Sequence, residues 1–257
     1  MNGEIYQICR LTAEVKRALK EGRNLVFEPI KYENCIEFQF LPRKTLLGER
    51  EDKAYDPVSW FEKCKKQGLI DIKMMIPVKV KNRQILGFAN TNRASMVTFL
   101  KNGEVRYWVA QWEFDSKIKM WNISYAEAEW KEAPACRPEY VDNTKEFLDV
   151  LLRISKFADT IEEGYFAEVF RDASAILKCE KELSVNENLA VRPPLPKSHK
   201  SLFDAASKAD VFGAMGSWND SPPYMAHQKG LSDEYDALSD ELLTQIRLAI
   251  LYAVNEW

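Results

Sequence analysis

The sequence predicts an α+β protein. It should carry an N-terminal antiparallel β-sheet of hairpins and a meander with two flanking helices, followed by a C-terminal helical half of about four helices. Three observations predict it. Residues 70–80 alternate strictly: Ile70, Ile72, Met74, Ile76, Val78 and Val80 fall on one face, and Asp71, Lys73, Met75, Pro77 and Lys79 on the other. That is the period of a strand with one face on a core and one near water. Asn102-Gly103 stands between two β-prone runs, the signature of a two-residue hairpin turn. Beyond Pro138 the apolar residues recur at helical spacing.

The elements follow in order. Ile5, Ile8, Leu11, Val15 and Ala18 predict a helix over 4–21, with Gly22 as its stop. A hairpin is expected from strands 24–30 and 35–41, the second marked by Ile36, Phe38 and Phe40. Residues 42–55 are charged and read as an exposed loop. Asp56 suits an N-cap, Pro57 a first turn and Gly68 a helix end, so a second helix lies between them, burying Trp60, Phe61 and Cys64.

Strand 70–80 follows, with Pro77 pointing to an edge or a bulge, and then a short strand near 84–89. The Asn102-Gly103 turn should pair Leu100 with Val105 and Val97 with Trp108. A last strand near 119–126 completes the meander, with Trp112 facing Trp121 and Trp108 facing Tyr125. Its other face carries Asn122, Ser124, Ala126 and Ala128, small enough to let another element approach.

In the helical half, Asn143-x-x-Glu146 and Thr160-x-x-Glu163 have capping-box spacing. Each precedes an amphipathic stripe. Residues 184–200 form a proline-rich strap around Pro193–Pro196. A helix near 201–212 leads into a long connection, 213–231, and a final helix from about Ser239 is buried nearly all round. The best boundary lies at Pro134–Pro138, dividing the chain into 1–133 and 139–257, although the two parts can share one core.

At 257 residues the chain can bury a sizeable core without staples. Its five cysteines are widely spaced with no C-x-x-C, so reduced thiols are expected rather than a disulfide framework or a zinc site. No secretory pattern and no run of about 18 apolar residues occurs, so a cytoplasmic protein without a membrane span is expected. The net charge of −3 is unevenly spread: residues 1–130 hold 22 Lys+Arg against 17 Asp+Glu, leaving 14 against 22 in the remainder.

Two histidines, His199 and His227, leave little for His-based metal chemistry. No nucleophile elbow, phosphate loop, dinucleotide fingerprint or zincin motif is present. Nothing calls for a cofactor or a metal, and enzymatic activity is not the first expectation.

Three regions remain as candidate sites. Loop 213–231 joins backbone freedom (Gly213, Gly216) to flat surfaces (Trp218, Tyr224) and polar groups (Asn219). Asp220 and His227 could form an acid–base pair with Ser217 or Ser221 as nucleophile, and Trp218, Asn219 and Tyr224 could hold a ligand. The bland alternative is a loop pinned by Trp218 and Tyr224 against the helices. The aromatic meander, Trp108, Trp112, Trp121 and Tyr125, could stack on bases, but aromatics at strand spacing more often fill cores. Residues 57–110 carry ten Lys+Arg against three acids. Lys73, Lys79, Lys81 and Arg83 could contact phosphates, or be a solvated sheet edge.

The first expectation is therefore a non-enzymatic binding or interaction protein whose partner the sequence does not identify, another protein being one candidate. A hydrolase using loop 213–231 and a nucleic-acid binder using the basic face of the sheet stand as alternatives.

Overall fold

The structure, a computed structural model, describes residues 1–45, 48–130, 137–183 and 191–257. Cys136, most of the Pro134–Pro138 boundary and the first part of the strap lie outside them.

A six-stranded sheet forms the N-terminal half, in the order β2-β1-β6-β5-β4-β3. Its strands are β1 (Glu33–Thr45), β2 (Gly48–Ala54), β3 (Leu69–Met75), β4 (Ser95–Leu100), β5 (Val105–Asp115) and β6 (Met120–Glu129). The predicted α+β class is the observed one. The helices are α1 (Gly3–Glu21), α2 (Pro57–Lys66), α3 (Thr144–Thr160), α4 (Gly164–Leu177), α5 (Lys197–Ala209), α6 (Pro222–Gln228) and α7 (Ser232–Asn255).

Local signals explain most boundaries. Asn2 caps α1 by accepting from the Ile5 N–H at 3.2 Å, and Gly22 ends it in the left-handed region. Asp56 caps α2 through the Ser59 N–H at 2.8 Å, and Trp60, Phe61 and Cys64 are its buried side.

Pairing departs from the expectations in several places. The sheet is mixed, because β1 runs parallel to β6. Residues 24–30 form no strand, and β1 pairs instead with β2, which occupies the segment expected to be loop. The stretch near 84–89 holds a 3₁₀ turn, Arg83–Ile85. The Asn102-Gly103 turn is one residue longer than expected: Leu100 N–H reaches Glu104 O and Gly103 takes φ +86, the three-residue loop with a left-handed glycine. Phe99 therefore pairs with Val105, and Met96 with Trp108. The β5–β6 register is slipped by two, with Trp112 opposite Ile123. An even slip keeps every side chain on its predicted face.

The register irregularity between Leu69 and Asp71 in β3 turns Ile70 outward, leaving it 42% exposed. Ile72, Met74 and Ile76 are buried as expected, but so is Lys73. In the helical half, Thr160 ends α3 rather than starting α4, and Asn143 bonds Gln245 instead of its own helix. The last helix starts at Ser232, and α6 adds a fifth helix inside the predicted loop.

The sheet's covered face packs on α1 and α2. Trp60, Phe38 and Tyr125 stack in sequence at 4.5 and 5.0 Å, with Trp108 edge-on to Trp60 at 5.5 Å. The same buried cluster continues through α3, α4, α5 and α7. On the other face, Val109, Gln111, Ser124 and Ala126 are exposed. No helix among the described residues is long and apolar enough to cross a membrane.

Candidate functional site

Loop 213–231 is ordered by its own side chains. Trp218 is fully buried against Phe166, Phe170 and Tyr235, at 5.2, 5.1 and 5.5 Å between ring centres. Its indole N–H donates to Ser239 Oγ at 2.8 Å, and the Tyr235 hydroxyl donates to its carbonyl at 2.6 Å.

The candidate catalytic groups do not converge. Asp220 accepts the Gly216 N–H at 2.7 Å, closing a turn, and Ser217 Oγ donates to the Gly213 carbonyl at 2.8 Å. Ser221 donates to Glu163 at 2.5 Å from the start of α6. His227 lies near the other end of α6 and faces Ser232 at 3.5 Å. No hydrogen bond between side chains joins any two of these four. Asn219 donates to the Arg83 carbonyl at 2.9 Å, and exposed Tyr224 takes a bond from Gln228.

The basic face is divided. Lys73 is buried and bonded to Glu256 at 2.8 Å and to the Pro138 carbonyl. Arg83 is buried against Tyr235 and paired with Asp236 and Asp240. Lys79 and Lys81 alone of the four are exposed. In the meander, Trp108, Trp112 and Tyr125 are core.

A groove of about 710 Å³ opens on the sheet face away from α1 and α2. Its apolar lining is Val97 of β4, with Met75, Ile76 and Pro77 from the end of β3. Tyr107 of β5 and Trp130, just past β6, contribute aromatic surface. Ser95, Arg93 and Glu129 supply polar groups. The sheet brings these together: Val97 pairs with Tyr107, and Tyr107 with Ala128.

Compared with known family models, curated proteins and solved structures, the chain matches none. The groove is therefore judged on its own chemistry.

Arg93 holds φ +54 and Asn90 φ +62, a conformation costing an L-residue about 1–2 kcal/mol. The segment is pinned from three sides. The Asn90 carboxamide bonds both the N–H and the carbonyl of Trp112, at 2.9 and 2.8 Å. The Asn90 N–H donates to buried Glu4 at 2.7 Å. Burial raises the Glu4 carboxyl above its ordinary value, opposed by the bonds from Asn90 and Asn92. Arg247 of α7 donates to Asn92 at 3.3 Å and to the Pro77 carbonyl, tying two sides of the groove to one helix. Burial lowers the pKa of that guanidinium.

Arg93 itself is exposed, and of the arginines with described side chains it alone makes neither an ion pair nor a hydrogen bond. Sequence reasoning missed Arg93, Tyr107 and Trp130, because it followed the core-facing aromatics of the meander. A usable signal was present: Tyr107 alternates out of phase with Trp108, placing an aromatic ring on the face away from the core.

Proposed function

We propose that this chain is a non-enzymatic binding protein and that the groove lined by Val97, Tyr107 and Trp130 is its ligand site. One observation carries the reading. The groove is mainly apolar in its lining, yet Arg93, Ser95, Tyr107 and Trp130 all present polar groups that make no hydrogen bond to the described residues. Ligand sites are typically concave, mostly apolar and fitted with a few polar groups that orient the ligand. A hydrolase built on loop 213–231 has less support, because Asp220, Ser217 and Ser221 are each engaged in holding the chain's own backbone or a neighbouring helix. A nucleic-acid role on the basic face would rest on Lys79 and Lys81 alone.

The test is titration with N-phenyl-1-naphthylamine, a neutral fluorescent aromatic. Saturable one-to-one binding is expected in the wild type. It should be lost in the Tyr107→Ala/Trp130→Ala double variant with the melting temperature little changed. Binding that survives the double variant, or no binding to the wild type, overturns the reading.

A further inference from the structure

We propose that the groove takes an organic monoanion: an aromatic or apolar carboxylate whose charged end pairs with Arg93 and whose body lies against Val97, Tyr107 and Trp130. The proposal rests on the groove being a ligand site and adds the class of ligand.

The chain holds Arg93 in the left-handed region, where a side chain is strained, and gives it no partner among the described residues. Elsewhere the same chain pairs its guanidinium groups: Arg83 with two aspartates, Arg106 with two glutamates, Arg137 with Asp71. Internal stability thus does not account for the placement of Arg93. A planar guanidinium at the mouth of an apolar groove matches a carboxylate in two parallel hydrogen bonds.

The rest of the groove limits what that anion can be. Apolar and aromatic lining favours a body that gains by leaving water. Glu129 also lines the groove. Sheet pairing places it level with Arg106 and hence with Thr98. Arg106 alternates in phase with core-facing Trp108, so Glu129 presents its side chain to the covered face beside Arg106, two strands across from β4. Arg93 is therefore not neutralised by Glu129. Arg93 is the one cation among the described lining residues, so a single anionic end is matched and a polyanion such as a nucleic acid strand is not.

The experiment uses an isosteric pair that differs in charge: 1-naphthylacetate and 1-naphthylacetamide, each competing with N-phenyl-1-naphthylamine on the full chain. In the wild type the acetate should displace the reporter at a concentration at least about tenfold lower than the amide, the scale of one charge-assisted hydrogen bond. R93Q should bring the two to equal potency, each corrected for the reporter's own affinity measured on that variant, and R93K should restore part of the difference. Arg93 is exposed and unpaired, so R93Q should fold; its circular dichroism and melting temperature check this. Equal potency in the wild type, a preference that survives R93Q, or a reporter that neither compound displaces each overturns the monoanion while sparing the groove. A reporter that does not bind overturns the groove itself.

Discussion

The side-chain carboxamide of Asn255 hydrogen-bonds both backbone groups of Met74, accepting its N–H at 2.8 Å and donating to its carbonyl at 2.9 Å. Met74 lies on β3, an edge strand, so the last turn of α7 stands in for one residue of a missing neighbour. Asn90 does the same for Trp112, on the stretch of β5 beyond its β4 pairing. Exposed edges invite pairing with other chains, and here two carboxamides and the length of α7 close them. Arg247 to Pro77 and Glu256 to Lys73 continue that cover.

Asn255→Ala should therefore cost about 2–4 kcal/mol, since it leaves two buried backbone groups without partners. Urea denaturation measures it. A midpoint equal to the wild type would mean that water replaces the carboxamide at no cost.

These clips show what was legible in the sequence. Signals confined to a few neighbours were: the Asp56-Pro57 start of α2, the alternation of β3 around Ile72 and Met74, the position of the Asn102-Gly103 turn. Relations set by pairing at long range were not. The parallel match of Cys35 to Asn122 joins residues far apart in the chain, and no local pattern specifies it. The one-residue error at Asn102-Gly103 arose because a glycine after asparagine serves both two- and three-residue turns. The groove was hidden for the same reason as the topology: Arg93, Tyr107 and Trp130 meet only once the strands are ordered. Loop 213–231 attracted attention because Asp, Ser and Asn are the residues of both catalysis and turns, and here Asp220 closes a turn while Ser221 anchors the start of α6 to Glu163.

Trp218→Ala should destabilise the protein by about 3–5 kcal/mol, because it empties a fully buried site bounded by Phe166, Phe170 and Tyr235. Asp220→Asn and His227→Ala, both at exposed positions, should each stay within about 1 kcal/mol of the wild type. Thermal melts of the three variants check this. A large loss from His227→Ala would reveal a contact that its bond to Ser232 does not explain.

Glu4 links the groove segment to pH. Its carboxyl is raised from 4.5 by burial, so the folded state binds the proton more tightly than the unfolded state. The associated stability is fully present below 4.5 and is lost as pH rises through the folded value. Glu4→Gln keeps an acceptor for the Asn90 N–H and removes the titration. The stability of the wild type relative to this variant should fall as pH rises from 4.5 and then level off. Melting temperatures of the pair across that range test it, and a difference that does not vary with pH would show that Glu4 titrates normally.

Arg93→Gly separates ligand binding from stability. An L-residue at φ +54 is strained, whereas glycine populates that region freely. Removing the side chain breaks no ion pair or hydrogen bond to the described residues, so little opposes the relief. Glycine also widens the unfolded ensemble, which takes back part of the gain. The net expectation is a stabilisation of up to about 1 kcal/mol, a rise of roughly 2–4 °C in melting temperature for a chain of this size. Asn90→Gly is the control. It relieves the same kind of backbone strain at φ +62 but removes the carboxamide that bonds Trp112, so it should destabilise. If Arg93→Gly instead lowers the melting temperature as much as Asn90→Gly does, Arg93 holds the fold through contacts of its own, and its free guanidinium is no longer a reason to expect an anion in the groove.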